Sequence, residues 1–214
     1  MSFIPELSIL AAFTLAAFVL TITPGPDMTL FLGKTLSQGR TAGLAAMLGA
    51  FAGSLIHTLL AAFGVSALLA SSATAFGILK IVGALYLLWL AYDAIANGSS
   101  LTLKEASGKK ERGGQVFLKG VGINLLNPKI ILFFVTFLPQ FVTASDPHAV
   151  AKLLFLGGWF ILVALPICAA MVLMADAIAH RLQKNPKITR AIDWVFASVF
   201  AAFAVRILLE PNRG

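Results

Sequence analysis

Two prolines interrupt a stretch near the start of the chain that otherwise has the composition of a membrane-spanning helix. The motif Thr23-Pro24-Gly25-Pro26-Asp27 lies inside an apolar run from about residue 7 to residue 32. Proline has no backbone N–H, and its ring clashes with the carbonyl four residues back, which frees the carbonyls of Leu20 and Ile22. In hydrocarbon, such groups are tolerated only where the backbone is buried in protein or lines a wet cavity. An ionisable side chain there costs roughly 2.5–3.5 kcal/mol, so Asp27 is a candidate functional residue.

The composition favours an integral membrane protein. Hydrophobic residues make up 59% of the chain and charged residues only 12%, against about 25% charged residues in a soluble domain. The net charge of +7 comes from positive residues in short loops between apolar runs, which suits phospholipid headgroups better than nucleic acid. A single cysteine, Cys168, excludes an intramolecular disulfide and a multi-cysteine metal site. We therefore expect no metal and no cofactor.

Six apolar runs each reach the ~20 residues that cross a bilayer. A hydrophilic segment, about 96–115, is rich in Gly, Ser and mixed charges, which indicates a flexible linker. The chain is thus predicted to be one all-α transmembrane domain over 1–214, divided by the linker into halves of about 7–95 and 116–209. The predicted spans are about 7–32, 42–69, 73–95, 116–142, 149–175 and 188–209.

The positive residues predict the orientation of the spans. If the spans alternate, the first, third and fifth loops lie on one side and contain eleven of the sixteen Lys and Arg residues. The positive-inside rule places those loops in the cytoplasm and both termini outside. Because each half has an odd number of spans, any internal repeat must be inverted in the membrane.

The fourth span contains a second break, Asn124-Leu125-Leu126-Asn127-Pro128-Lys129. A shift of 102 residues places Pro26 on Pro128 and Asp27 on Lys129, so each half has a broken first helix followed by a charge, and the two charges are opposite. Gly/Pro interruptions at corresponding positions of two halves indicate a transporter binding site. The predicted fold is therefore two inverted three-helix repeats with broken first and fourth helices.

The residues at the breaks predict half-helices that begin inside the membrane. Proline suits the first helical position and asparagine the cap before it, as in Asn127-Pro128. Such N-termini attract a carboxylate. Lys129 opposes that dipole unless it pairs with a carboxylate, either from a bound substrate or from Asp27 in a structural ion pair. The predicted substrate and proton site consists of Thr23, Asp27, Asn124, Asn127 and Lys129.

Two further features of the spans are interpreted as structural. Glycines at roughly four-residue spacing in the second span predict close helix packing, and they would also suit a contact between two copies of the chain. Asp193 lies about one turn after Arg190 and is interpreted as its ion-pair partner. The glycines are Gly39, Gly43, Gly49 and Gly53.

Together these motifs resemble the LysE/RhtB family of amino-acid exporters. The resemblance rests on both breaks, on the glycine pattern, on Leu85-Tyr86-Leu87-Leu88-Trp89-Leu90 and on Phe137-Leu138-Pro139-Gln140-Phe141. It implies a bacterial inner-membrane protein that exports amino acids or close derivatives by using the proton gradient. The family motif maps onto Pro24, Gly25, Pro26, Asp27, Asn127, Pro128 and Lys129.

The resulting hypothesis is alternating access around the two breaks. The carboxylate of the substrate would meet Lys129 and the half-helix N–H groups, and its ammonium would meet Asp27 or the freed carbonyls. Asp27 would also carry the coupled proton. A membrane enzyme is disfavoured because no His-Glu-x-x-His motif and no nucleophile with an evident base is present. A passive channel, or an exporter of metals or other small metabolites with the same fold, is the remaining alternative.

Overall fold

The computed structural model describes residues 5–98, 111–142 and 146–209, and every regular element in those residues is helical. The predicted all-α class is therefore confirmed. Most of the predicted linker, residues 99–110, lies outside the described residues. The helices are α1 (Leu7–Ile22), α2 (Pro26–Gln38), α3 (Arg40–Leu60), α4 (Ser66–Ser71), α5 (Ala73–Ala96), α6 (Gly113–Leu126), α7 (Pro128–Leu132), α8 (Ala149–Leu173), α9 (Ala175–Lys184) and α10 (Pro186–Leu209).

Four helical stretches are long and apolar enough to cross a membrane: Arg40–Gly64, Gly77–Ala96, Ala149–Leu173 and Pro186–Leu209. Two bent helix pairs pass the same test together. The first joins α1 to α2 at a bend of 49°, and the second joins α6 to Pro128–Phe141 at a bend of 56°. By length and composition, the described residues therefore contain four candidate spans, or six, the number that the sequence predicts, if each bent pair crosses the membrane once.

The two bends have the same local cause. The residue before a proline avoids helical backbone angles, and Asn127 before Pro128 has φ −72° and ψ 109°. Gly25 before Pro26 is fully extended. The side-chain oxygen of Asn127 accepts a hydrogen bond from the backbone N–H of Lys129 at 3.1 Å, which caps α7. Both half-helices thus begin at a proline, as the cap pattern predicts.

Two spans change their helix type before they end, and one helix was not predicted. Helix α3 gives way to a π-helical turn at Ala61–Val65, and α7 continues through a π-helical turn at Phe133–Phe137 and a 3₁₀ turn at Leu138–Phe141. Helix α9 lies where the sequence predicted the fifth loop. It is too short and polar to span a membrane, but its apolar residues Ile178 and Leu182 pack against α2.

The glycines of α3 allow direct backbone contact with α6. A Cβ atom on Gly49 would lie 2.0 Å from the carbonyl oxygen of Phe117, and one on Gly120 would lie 2.2 Å from that of Ala46. Gly43 faces Thr35 of α2 in the same way, with a Cβ position 1.9 Å from its hydroxyl. This face of α3 is therefore occupied within one chain and is not free for a second copy.

Gly39 has a different role from the other three glycines of the predicted packing face. It lies in the turn between α2 and α3 with a φ of +91°, which other residues rarely adopt. A Cβ atom there would have no neighbour within 4 Å. The interpretation of Gly39 as a packing residue is wrong, because its conformation and not its small size is what the turn requires.

Replacing Gly120 with alanine is expected to destabilise the protein by roughly 1–3 kcal/mol, as overpacking does, because a backbone carbonyl blocks the new methyl group. Gly122 is a matched control in the same helix, since a Cβ atom there meets nothing within 4 Å. Gly122→Ala should be neutral or stabilise by about 0.5–1 kcal/mol. Denaturant unfolding in detergent micelles measures both, and equal effects of the two substitutions would contradict the proposed packing.

Candidate functional site

The two helix breaks lie against each other, joined by Lys129. Its ammonium group donates to the carbonyl oxygen of Thr23 at 2.8 Å and to that of Leu20 at 3.2 Å. The Leu20 carbonyl is one of the two that the prolines of the first break deprive of a helical partner. The cation after the second break therefore satisfies a carbonyl that the first break exposes.

A second connection runs from the second break to Asp27. The side-chain amide of Asn124 donates to the carboxylate of Asp27 at 2.8 Å. Helix α3 holds Asn124 in place: Ser54 donates to its side-chain oxygen at 3.4 Å. A Cβ atom on Gly53 would lie 2.6 Å from that same oxygen. Gly53 therefore leaves the space that Asn124 needs to reach Asp27.

His57 of α3 also contacts the second break. Its Nε2 lies 3.3 Å from the backbone carbonyl oxygen of Asn124. Pro128 removes the helical donor of that carbonyl, which also accepts from the backbone N–H of Asn127 at 3.1 Å. A carbonyl only accepts, so this geometry assigns the proton to Nε2. The ring also stacks on Phe134, with 5.8 Å between centroids. The sequence interpretation missed this role, although the four-residue rule applied to Pro128 points to the Asn124 carbonyl.

Asp27 and Lys129 do not form the ion pair that the sequence left open. Among the described residues, no nitrogen–oxygen contact within 4.0 Å joins them. Lys129 has three N–H donors, and two of them bond to backbone. The Oδ1 atom of Asp27 and the Nδ2 atom of Asn127 are buried without a hydrogen-bond partner in the described part of the chain. The side chain of Asn127 also acts on the charge of Asp27, so this donor and this acceptor lie near each other without forming a hydrogen bond.

A cavity of about 760 Å³ leads to the breaks, within the usual size range of small-molecule sites. Its inner end is formed by Thr23, Gly25, Asn127 and Lys129, and it extends to Lys34 near the end of α2. It therefore reaches the side of the molecule on which the linker joins α5 to α6. Apolar and aromatic residues line its wall, among them Leu30, Tyr86, Trp89, Leu90, Ile123 and Phe196.

Asp27 lies in a second, smaller cavity of about 50 Å³. Cys168 and Met171 of α8 also line it. Thr23, Gly25 and Lys129 line both cavities and so form a partition between them. The contact at the partition is close, since a Cβ atom on Gly25 would lie 3.1 Å from the ammonium nitrogen of Lys129. Of the predicted site residues, Asp27 therefore faces only the small cavity, whereas Lys129 faces both cavities.

Phenylalanine side chains fill the side of the breaks opposite the cavity mouth. We call Phe13, Phe133, Phe134, Phe137 and Phe200 the aromatic plug. All five are at most 1% exposed. The ring of Phe133 lies 5.6 Å from that of Phe13 and 5.0 Å from that of Phe137, centroid to centroid. Phe13 belongs to α1 before the first break, Phe200 belongs to α10, and the other three belong to the turn that follows α7. The plug therefore fills the far side of the site.

Glu111 joins α2 to α6 at the cavity mouth. Its carboxylate pairs with Lys119 at 2.7 Å and with Lys34 at 2.5 Å, and its backbone N–H donates to the side chain of Gln38 at 3.0 Å. The hydrogen bond from Lys119, followed by that from Lys34, lowers the pKa of Glu111 to about 2. The end of the linker is thereby anchored beside the mouth.

Replacing Glu111 with glutamine is expected to destabilise the protein near neutral pH by at most about 1 kcal/mol, the usual range for exposed ion pairs. The pKa of Glu111 falls from 4.5 to about 2 on folding, so its contribution is complete above about pH 5 and is lost as the pH falls toward 2. Thermal unfolding of both proteins at neutral and acidic pH measures this effect. Glu6→Gln, at an exposed carboxylate, is the control. A difference that persists unchanged in acid would contradict the prediction.

The wall of the large cavity contains an acidic residue outside the predicted site. Asp193 of α10, interpreted from sequence as the partner of Arg190, is 1% exposed and lines the large cavity. A usable signal was the helical spacing, because Asp193, Phe196 and Phe200 lie on one face of α10, and both phenylalanines are buried.

The described residues contain no group of three or more His, Cys, Asp or Glu that could hold a metal ion.

A family model and two curated relatives agree that this chain resembles efflux proteins. The family described as LysE type translocator matches residues 18–211. The homoserine/homoserine lactone efflux protein of Salmonella typhimurium (strain LT2) is 30% identical over 189 residues, which cover 88% of this chain and 90% of that protein. The leucine efflux protein of Enterobacter sp. (strain 638) is 28% identical over 196 residues, 91% of this chain and 92% of that protein. No solved structure matches significantly.

Proposed function

The chain belongs to the LysE type translocator family, and from this premise we propose that it exports neutral amino acids or close derivatives across the bacterial inner membrane in exchange for protons. Translocators of this family are multi-pass membrane transporters and not enzymes. The relatives are efflux proteins for homoserine, its lactone and leucine, which all lack a charged side chain. The apolar and aromatic wall of the large cavity suits such substrates.

The observation that carries the proposal is the meeting of the two breaks at the inner end of a cavity large enough for an amino acid. One N–H of Lys129 is left after its two backbone bonds, and the Asn127 amide is buried without a partner in the described residues. Both donors suit the carboxylate of an amino acid, and a charge-assisted bond to Lys129 is of the stronger kind. The substrate therefore binds with its carboxylate toward Lys129.

The transport cycle alternates access between the cavity mouth and the aromatic plug. The charge distribution predicts that the linker side is cytoplasmic, so the cavity corresponds to a state open to the cytoplasm. In support of two inverted repeats, α5 packs against α10 and α3 against α8. The broken span of each half also packs against the second span of the other, α6 on α3 and α1 on α8. Rocking of one repeat against the other would open the plug.

Asp27 is the proposed proton carrier. It lies at a break in the membrane-spanning region, where an ionisable group is expensive unless it has a function. Its Oδ1 atom has no hydrogen-bond partner in the described residues, while Oδ2 is held by Asn124. A proton can therefore bind Oδ1 without breaking the bond that positions the side chain.

The test is counterflow in proteoliposomes with a panel of labelled amino acids. We expect exchange of neutral amino acids, and accumulation of them when a proton gradient is imposed. Protein-free vesicles and the Lys129→Gln variant are the controls. Flux that continues unchanged after the gradient is collapsed would favour a passive channel, and failure to exchange any amino acid or derivative would refute the proposed function.

A further inference from the structure

Helix α10 has a surface groove that is separate from the two cavities. The groove has a volume of about 370 Å³ and is lined by Ile22, Lys187, Ile188, Ala191, Ile192 and Val195. Lys187, Ala191 and Val195 follow one another at intervals of four residues, so they share one face of the helix. The α10 residues that line the large cavity, Asp193 and Phe196, lie on another face. A ligand in the groove would therefore not occupy the proposed substrate site.

The first helix break shapes the other wall of the groove. Ile22 is the last residue of α1, and α2 is bent by 49° from α1 across the break that follows. Helix α1 packs against α10, and the groove lies where these two helices meet. Apart from Lys187, every side chain that lines it is aliphatic. Ile188 and Val195 are 42% and 48% exposed, and aliphatic surface of this kind suits an acyl chain.

The length of the groove matches one leaflet of a bilayer. Helix α10 rises about 12 Å from Lys187 to Val195, and one leaflet contributes about 15 Å, half of the hydrocarbon core. Arg190 donates to the backbone carbonyl oxygen of Ala94 at 3.4 Å, so the start of α10 lies beside the end of α5, where the linker begins. Lys187 is therefore at the end of the groove that faces the linker side of the membrane.

Positive charge is concentrated at that end. Lys187 lies in the first turn of α10, and among the described residues no carboxylate lies within 4.0 Å of its ammonium. A cation is unfavourable beside the positive end of a helix dipole, whereas a phosphate is favourable there. Arg181 and Lys184, both exposed in the last turn of α9, add charge just before α10 begins. A bound anion would offset the repulsion among these groups.

We propose that this groove binds an anionic phospholipid, with one acyl chain between α1 and α10 and the phosphate at Lys187 and the N-terminus of α10. The lipid comes from the leaflet on the linker side, which the charge distribution predicts to be cytoplasmic. A phosphatidylcholine can supply the same chain, but its headgroup has no net charge. The site therefore prefers anionic lipids, as basic pockets between spans do on the cytoplasmic side of other membrane proteins.

The test is native mass spectrometry of the full chain in detergent, with equal amounts of phosphatidylglycerol and phosphatidylcholine that have the same acyl chains. The wild type should retain phosphatidylglycerol in preference. One basic residue at the membrane surface changes the binding of an anionic lipid about fivefold, so Lys187→Gln should lower the ratio of the two bound lipids by about that factor. Arg40→Gln removes an exposed cation at the start of α3, away from the groove, and should keep the wild-type ratio.

A second variant tests the groove itself. Ala191 is exposed, so Ala191→Phe fills the groove without disturbing the core, and it should reduce the bound phosphatidylglycerol although Lys187 remains. Unchanged binding in this variant would refute the acyl-chain site. A wild-type ratio in Lys187→Gln would refute the headgroup site, and an equal loss in Arg40→Gln would show that the lipid responds only to the overall charge. None of these measurements depends on transport, so they leave the proposed function untouched.

Discussion

Replacing Lys129 with methionine is expected to reduce amino-acid counterflow by about a hundredfold or more, because two charge-assisted interactions are lost together. The ammonium would no longer meet the substrate carboxylate, and the Leu20 and Thr23 carbonyls would lose their donor. Counterflow in proteoliposomes measures the loss. Lys119→Gln removes a half-exposed cation at the cavity mouth and should leave the exchange rate close to that of the wild type.

The single cysteine of the chain gives a second measurement on the same variant. Cys168 is buried and lines the small cavity beside Lys129. Removing the ammonium opens the partition, so a water-soluble thiol reagent added to the linker side should modify Cys168 faster in Lys129→Met than in the wild type. Wild-type counterflow in Lys129→Met would refute the assignment of Lys129 to the site. An unchanged rate of cysteine modification would refute the partition.

Replacing Asp27 with asparagine is expected to abolish accumulation driven by a proton gradient while substrate exchange continues. Asparagine has nearly the same shape, and its side-chain oxygen can still accept from Asn124, whose bond to Asp27 is 2.8 Å long. The variant should therefore fold, but it has no carboxylate to take up and release a proton. Leucine accumulation under an imposed pH gradient, measured beside counterflow at equal pH, separates the two activities.

The Asp27→Asn prediction has a matched control, and two results would contradict it. Asp176→Asn, at an exposed carboxylate on α9, should behave like the wild type in both assays. Gradient-driven accumulation by Asp27→Asn at the wild-type rate would remove Asp27 from the proton pathway. Loss of exchange as severe as the loss of accumulation would show that Asp27 also binds substrate, which its position in the small cavity argues against.

Much of the helical framework could be predicted from the sequence because its causes are local. The length of an apolar run follows from the thickness of the bilayer, and a proline breaks a helix through its own ring. Both half-helix starts were predicted for that reason. Helix α9 was missed because it has few apolar residues. Their burial depends on a tertiary contact with α2, in a cluster that contains Met28 and Leu32.

The connections within the site could not be predicted in the same way. The sequence indicated that carbonyls would be freed at the first break and that Lys129 would need a partner, but not that each would satisfy the other. That contact joins residues more than a hundred positions apart. Its existence depends on the close approach of α3 to α6, which Gly49 and Gly120 allow. The place of Asp193 in the wall of the large cavity could not be predicted for a related reason, because it depends on how α10 packs on α5.

The sequence by itself thus determined an all-helical membrane protein of the LysE family with two breaks and opposite charges beside them. These features depend on hydropathy and on proline chemistry, which act over a few residues. Only the tertiary structure decided that Lys129 bonds to backbone and not to Asp27, and that Asp27 and Asp193 face separate cavities. Those outcomes depend on distances between helices, and helix packing sets these distances to within an ångström or two, the scale on which a hydrogen bond either forms or does not.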